Sequence, residues 1–262
     1  MHGRAEAVRA VVPGPARLLE IGCGDGYFLR YVKDLGWDVE GIELGRSAAE
    51  FARERLGVRV HCGRVEELSL PQSRYDVIYL HHVFEHLGSP LETLQRLRPL
   101  LADGGWLYLA IPNWRSLDRR IFGACWIGMT PPQHLFLYDR STLKALLAKA
   151  GFKLKRTTTY SREGTTLLGY TESLRYLLIE WGLRPERPRP SGAKPGPTWP
   201  DGSLRSDRAW KRLLQRAEKA FWWPVHTLAD RFGYGSNLMA WAQPKWDRAA
   251  WRRRPQGPGP AV

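Results

Sequence analysis

Between residues 17 and 111 short β-like runs alternate with helical patterns, and that rhythm restricts the possible folds more than any other feature of the chain. The runs are RLLEI (17–21), DVEGI (38–42), VRVH (58–61), YDVIYL (75–80) and WLYLAI (106–111), with helices expected near 27–35, 47–56 and 90–101. Strands joined through helices lie parallel, because a parallel neighbour is reached only by a crossover, and the crossovers cover both faces of the sheet. Ser89-Pro90 opens the third helix, with Ser89 as N-cap and Pro90 at its first position, and Asp103-Gly104-Gly105 reads as the turn into the next strand. A loop rich in Trp and Pro (112–137) follows. Then come a helix capped by Asp139 or Ser141 and stopped by Gly151, and a further strand, FKLKRTTTY (152–160).

Beyond 160 the rhythm breaks. LLGYTESLRYLLIEW (167–181) has the spacing of an amphipathic helix, and RPERPRPSGAKPGPTWPDG after it has a proline density that forbids helix or central strand. A second amphipathic stretch carries Trp210, Leu213, Leu214, Ala217 and Phe221 on one face, NLMAWAQP (237–244) returns to strand character, and 245–262 reads as a disordered basic tail. Charge follows the same division. Residues 1–183 hold 24 basic and 20 acidic side chains, whereas 184–262 hold 16 and 6, and eight of the twelve tryptophans lie in 181–262. A basic, Trp-rich back fits an anionic partner, although an Arg-rich, Asn-poor composition also fits heat adaptation. No stretch approaches the ~18 apolar residues of a membrane span. The first ten residues lack the apolar region of a secretory signal, and three separated cysteines (23, 62, 125) fit neither a disulfide framework nor a zinc site, so the expected compartment is the cytoplasm.

The first strand runs into Glu20-Ile21-Gly22-Cys23-Gly24-Asp25-Gly26 and then a helix, which puts glycines where the backbone must turn sharply and approach a ligand closely. Glu43 ends the second strand 19 residues after Gly24, where a carboxylate can accept hydrogen bonds from both hydroxyls of a ribose. The third glycine comes one residue too early for a dinucleotide fingerprint. Glu20 would moreover repel a pyrophosphate while suiting the amino group of a cationic ligand, and no G-K-[ST] follows as a P-loop requires.

LLEIGCGDG, VEGIEL, GRVEEL, YDVIYLHHVFEHL, LRPLLADGGWLYLAIPN and PPQHLFLYDRSTLKALLAKAGF resemble, in order, the motifs of class I S-adenosylmethionine-dependent methyltransferases, in the group of the ubiquinone-biosynthesis O-methyltransferases. The resemblance covers about 17–160. It implies an α/β fold, a Rossmann-like seven-stranded mostly parallel sheet of order 3-2-1-4-5-7-6 with strand 7 antiparallel and helices on both faces. Residues 1–160 and 237–244 then form the core, with 161–236 a helical, Pro-rich basic insertion between strands 6 and 7. It further implies S-adenosylmethionine as cofactor, with Glu20, Gly22 and Gly24 holding its methionine portion, Cys23 and Gly26 also among the cofactor-binding residues, and Glu43 on its ribose. Leu44, Val65 and Glu66 come beside the adenine, and His81 and His82 under the methionine portion just past strand 4. Where many relatives carry an Asp near the adenine amine this chain has Arg64, which cannot accept that amine's hydrogen bond, so the acceptors fall to Val65 and Glu66.

A sulfonium methyl is already activated. In-line displacement therefore needs chiefly an aligned nucleophile about 3–3.5 Å away, plus a base if the nucleophile starts as a hydroxyl. His86, which Glu85 would orient, is the first candidate base and His134 the second, since an imidazole of pKa about 6.5 accepts a proton at neutral pH. Asn113, Trp126 and Tyr138 would wall the substrate mouth or simply pack. No metal site is expected, because Glu85 and His86 are adjacent on the chain and no other paired ligands are in view. The place where nucleic-acid base methylases carry an Asn/Asp-Pro-Pro-aromatic motif reads LHHVFEHL, which disfavours nucleic acid as substrate. The expected acceptor is thus a hydroxyl, or less readily an amine, on a small molecule, glycan or lipid-linked compound. Residues 205–232 are the expected peripheral contact with the inner membrane face. The alternatives are an RNA-binding or RNA-modifying protein and a non-catalytic cofactor-binding module; oligomeric state stays open.

Overall fold

The computed structural model describes residues 1–161, 173, 174, 176–181, 183 and 223–245. Its strands are β1 (Arg17–Ile21), β2 (Asp38–Glu43), β3 (Arg59–Cys62), β4 (Tyr75–His81), β5 (Leu101–Pro112), β6 (Phe152–Tyr160) and β7 (Asn237–Pro244). Its α-helices are α1 (His2–Arg9), α2 (Tyr27–Asp34), α3 (Arg46–Leu56), α4 (Pro90–Leu97), α5 (Leu117–Phe122) and α6 (Arg140–Lys149). The strands form one sheet in the order β3-β2-β1-β4-β5-β7-β6, with β7 antiparallel, as the resemblance implied. β1 pairs in parallel with β2 and β4, so its carboxyl end lies inside the sheet at the point where the strand order reverses, and crossovers diverging to either side leave a crevice there.

The chain divides into two compact units. One takes Met1–Ile111, Arg140–Thr157 and the chain from Met239; the other takes Pro112–Asp139 and Thr158–Leu238. The core of the first rests on an aromatic stack that runs from α2 across the sheet. Phe28 lies 4.8 Å from Tyr79, Tyr79 lies 4.5 Å from Tyr108 and nearly parallel to it, and Tyr108 meets Trp241 edge-on at 5.2 Å, measured between ring centres. Buried rings of this size contribute about 2–3 kcal/mol each, with a further ~1 kcal/mol from their pairing. In the second unit Asn113, 2% exposed, donates from Nδ2 to the carbonyls of Gly235 (2.8 Å) and Gly233 (3.2 Å), and its Oδ1 accepts from the Arg115 amide at 3.1 Å. Its side chain thus serves packing.

One local reading is corrected. Asp103-Gly104-Gly105 lies within β5 as a bulge, not as a turn before it. Tyr75 pairs with Leu101 and Val77 with Trp106, so the four residues 102–105 stand opposite the single Asp76, three more than the register needs, and Gly104 turns within them at φ +73°. The N-terminal segment is helical, which its polar sequence does not announce; α1 buries only Ala5 and Val8. Ser89 is the N-cap of α4 as expected, but its carbonyl does the work, accepting from the Thr93 amide (3.0 Å) and hydroxyl (3.1 Å). The second amphipathic stretch (210–221), the proline-rich segment and the basic tail lie outside the described residues, as does most of 167–175. No helix among the described residues is long and apolar enough to cross a membrane.

Candidate active site

The turn between β1 and α2 folds back over the end of β2, where the amides of Gly22 (2.8 Å) and Cys23 (3.1 Å) both donate to the Ile42 carbonyl. Gly22, Gly24 and Gly26 all have positive φ, at +69°, +54° and +78°. Their surroundings differ. A Cβ on Gly22 would lie 2.4 Å from Val83 Cγ2 and one on Gly26 2.7 Å from Ala52 Cβ, whereas one on Gly24 would meet nothing within 4 Å. Gly22 and Gly26 are therefore glycines for packing, and Gly24 presents bare backbone to open space. The Gly24 amide donates to Glu43 Oε2 at 2.8 Å, and Glu43 Oε1 accepts from the Gly45 amide at 2.8 Å. Each oxygen keeps a lone pair for a further donor.

Beside this turn lies a cleft of about 560 Å³, in the size range of small-molecule sites, whose walls include Glu43, Leu44, Arg64, Val65, Glu66 and His86. It brings together the residues assigned to ribose and adenine, and adds His86. Glu20, Cys23, Gly24, Gly26, His81 and His82 are not among its walls. The acceptors that stand in for the missing Asp are partly engaged: the Val65 carbonyl accepts from Arg96 Nε (3.0 Å) and Glu66 Oε1 from the Thr93 hydroxyl (2.6 Å).

Glu20 is 2% exposed. Its Oε1 accepts from Arg4 Nη2 at 2.6 Å, and its buried Oε2 has no partner among the described residues. Burial pushes its carboxyl up to about 7; Arg4 opposes the shift and the Glu43 charge adds to it. Arg4 in turn donates from Nε to Tyr79 Oη at 3.0 Å, with its guanidinium 4.1 Å from the centre of the Phe28 ring. Burial likewise raises the Cys23 thiol, making it a poor nucleophile. Sequence reasoning missed Arg4. The only available signal was a cation ahead of β1 on a helix that could not be recognised.

After β4 the chain makes a tight turn. His82 has φ +53°, unusual for a residue with a β-carbon, and its amide donates to the Ala110 carbonyl at 2.9 Å. Its Nδ1 lies 3.1 Å from Oε1 of Glu85, which is 1% exposed and whose Oε2 is buried without a partner among the described residues. Glu85 thus orients His82, where His86 was expected. An ionised Glu85 places the proton on Nδ1 and leaves Nε2 as acceptor. His134 belongs to the other unit, and its Nδ1 lies 2.7 Å from the Gly128 carbonyl, which likewise leaves Nε2 as the acceptor of a neutral ring.

A glycine turn at the end of the central strand, a carboxylate at the end of its neighbour and a cleft beyond both define an α/β binder of a nucleotide-type cofactor. The chain belongs to the methyltransferase domain family, which it matches over residues 4–157, and its cofactor is S-adenosylmethionine. Among its relatives, a ubiquinone biosynthesis O-methyltransferase of Bordetella avium is 28% identical over 180 residues, covering 61% of this chain and 75% of that protein. Its counterpart in Cereibacter sphaeroides is 34% identical over 146 residues, covering 52% and 59%. The match thus spans between about three fifths and three quarters of those two proteins. Among solved structures, a SAM-dependent methyltransferase from Archaeoglobus fulgidus shares the fold with a TM-score of 0.54 at 20% identity, covering 90% of this chain and 91% of that one.

Proposed function

We propose that the protein methylates a hydroxyl, less readily an amine, on a small-molecule, glycan or lipid-linked acceptor. The observation that carries this reading is the Gly24 amide bonded to Glu43 beside a cleft, with open space where a Gly24 side chain would stand. Hydroxyl chemistry is supported by relatives named as O-methyltransferases.

Bound S-adenosylmethionine supplies a sulfonium methyl already activated for in-line displacement. The residues fit such a ligand in two independent ways: Gly24 leaves a cradle that a Cβ would fill, and Glu20 keeps a buried carboxylate oxygen without a partner among the described residues. Glu20 would attract the ammonium group and Glu43 the ribose hydroxyls; Leu44, Val65 and Glu66 would border the adenine. His86, on the cleft wall, would take the acceptor's proton, which needs an imidazole that is neutral near pH 7. His134 is the second candidate, as an imidazole that can take a proton near neutral pH. Three unpaired cysteines fit a reducing compartment and hence a cytoplasmic enzyme.

The test is to incubate the full chain with methyl-labelled S-adenosylmethionine and pooled hydroxylated small molecules, glycans, lipid extracts and cellular RNA, and to identify the labelled product by mass spectrometry. A labelled ether supports the reading. Label confined to RNA, or cofactor binding without any transfer, overturns it in favour of the RNA-modifying or the non-catalytic alternative.

A further inference from the structure

Two segments of the second unit, α5 and residues 223–234, segregate their charges in a way the transfer reaction does not require. In the helical stretch 223–231 the exposed residues are Trp223, Pro224, Thr227, Leu228 and Arg231, which recur one turn apart and share a face; Val225, His226, Ala229 and Asp230 occupy the other. Phe232 continues the exposed face at 68% exposure, and Leu228 is 56% exposed. The end of this segment, at Tyr234, adjoins α5. The Leu117 amide donates to the Tyr234 carbonyl at 2.8 Å, and the guanidinium groups of Arg120 and Arg115 lie 4.6 Å and 5.6 Å from the centre of the Tyr234 ring. Ile121, next to Arg120, is 48% exposed.

The acids of these two segments point the other way. Asp118 is 8% exposed and accepts from the Ser236 hydroxyl at 2.5 Å, and Asp230 accepts from the Ser161 amide (3.2 Å) and hydroxyl (2.7 Å). Outward there remain Arg115, Arg120 and Arg231, all exposed, interleaved with large apolar side chains. We propose that this surface, formed by α5 and residues 223–234, docks the protein on an anionic lipid bilayer. Ile121, Leu228 and Phe232 would enter the headgroup boundary, and the arginines would meet lipid phosphates.

Charge selects this occupant. A second copy would set one arginine-bearing face against another in a chain of net charge +14. A nucleic-acid backbone would use the arginines but would leave exposed leucine, isoleucine and phenylalanine without apolar cover. The inference does not depend on which acceptor is methylated.

Flotation of the full chain with vesicles of phosphatidylcholine alone, and of phosphatidylcholine mixed with phosphatidylglycerol, beside binding of the same variants to a labelled RNA, tests it. The expected result is binding to the mixed vesicles and little to the neutral ones. Leu228→Ser/Phe232→Ser and, separately, Arg120→Glu/Arg231→Glu should each weaken binding about tenfold or more. Thermal unfolding and S-adenosylhomocysteine affinity should stay at parental values, which separates loss of docking from loss of fold. The proposal is overturned if the parent ignores the mixed vesicles, if it binds both kinds equally, if both folded double variants bind like the parent, or if only RNA binds this face. Should one pair fail to fold, the other decides alone.

Discussion

Arg4 Nη2 stands 2.6 Å from Glu20 Oε1, an ion pair in which the carboxylate side chain is 3% exposed and the arginine side chain 19%. It ties α1 to the end of the central strand, and it fixes one oxygen of Glu20 while the other stays without a partner among the described residues. Removing one member of a buried pair strands the other. Arg4→Met keeps much of the apolar contact with Phe28 but deprives Glu20 of its counter-charge. Calorimetry should show S-adenosylhomocysteine binding weakened about tenfold or more. Binding of methylthioadenosine, which lacks the amino-acid portion, should move much less. Equal loss of both ligands would mean that α1 serves only as packing.

The same carboxylate sets a pH dependence. Glu20 titrates near 7 in the folded protein because it is buried, above the ordinary carboxylate range. As pH rises through 7 the group ionises and gains attraction for an ammonium. Affinity for S-adenosylhomocysteine should therefore increase from pH 6 to 8, by up to about tenfold per pH unit in the protonated range, with methylthioadenosine flat across it. The linkage to stability has the opposite sign. A raised carboxyl favours folding on the acid side, a contribution lost as pH climbs from the unfolded value towards 7. A pH-independent affinity would remove Glu20 from the ammonium site.

The three glycines of the turn should separate experimentally. Gly22→Ala would drive a methyl into Val83 and Gly26→Ala one into Ala52, so both should lower the unfolding free energy by about 2–4 kcal/mol through overpacking and left-handed strain. Gly24→Ala meets no protein atom and should cost only about 1–2 kcal/mol of left-handed strain. Its larger effect should fall on cofactor binding. Denaturant unfolding and calorimetry on the three variants check the ordering.

Much of this was legible beforehand, and the exceptions share a cause. β1 and β4 read readily because they are largely buried apolar runs, whereas β3 and β6 are mostly polar and are placed by the strand–helix alternation and the family resemblance; Ile21 ends β1 just before Gly22 and Phe152 opens β6 just after Gly151. α1 was not legible, since HGRAEAVR carries only two residues that become buried and its role lies in the Arg4 contact with Glu20, a residue 16 positions away. The β5 bulge was mistaken for a turn because Asp-Gly-Gly has the same local preference in both. The partner of Glu85 escaped for a similar reason: adjacency in sequence favours His86, but the left-handed backbone at His82 turns that ring towards the carboxylate.

If His86 takes the acceptor's proton, His86→Gln should lower the single-turnover transfer rate about 10²- to 10⁴-fold and leave S-adenosylhomocysteine affinity within about twofold. The His134→Gln variant, run alongside, ranks the two imidazoles. Unchanged transfer in both would show that the acceptor arrives already ionised or needs no base.

Asn113→Ala is the contrasting case. It removes bonds to Gly233, Gly235 and the Arg115 amide inside the second unit, so thermal or denaturant unfolding should report a loss of about 1–3 kcal/mol. Cofactor affinity should remain parental.

Titration of the full chain with S-adenosylhomocysteine, beside Glu43→Ala and with NADH as a control ligand, tests the central claim most directly. The account predicts one saturable site in the parent, affinity reduced about tenfold or more in Glu43→Ala, and no response to NADH. A folded parent that takes up no S-adenosylhomocysteine, or a folded Glu43→Ala protein that binds it as tightly as the parent, would contradict it.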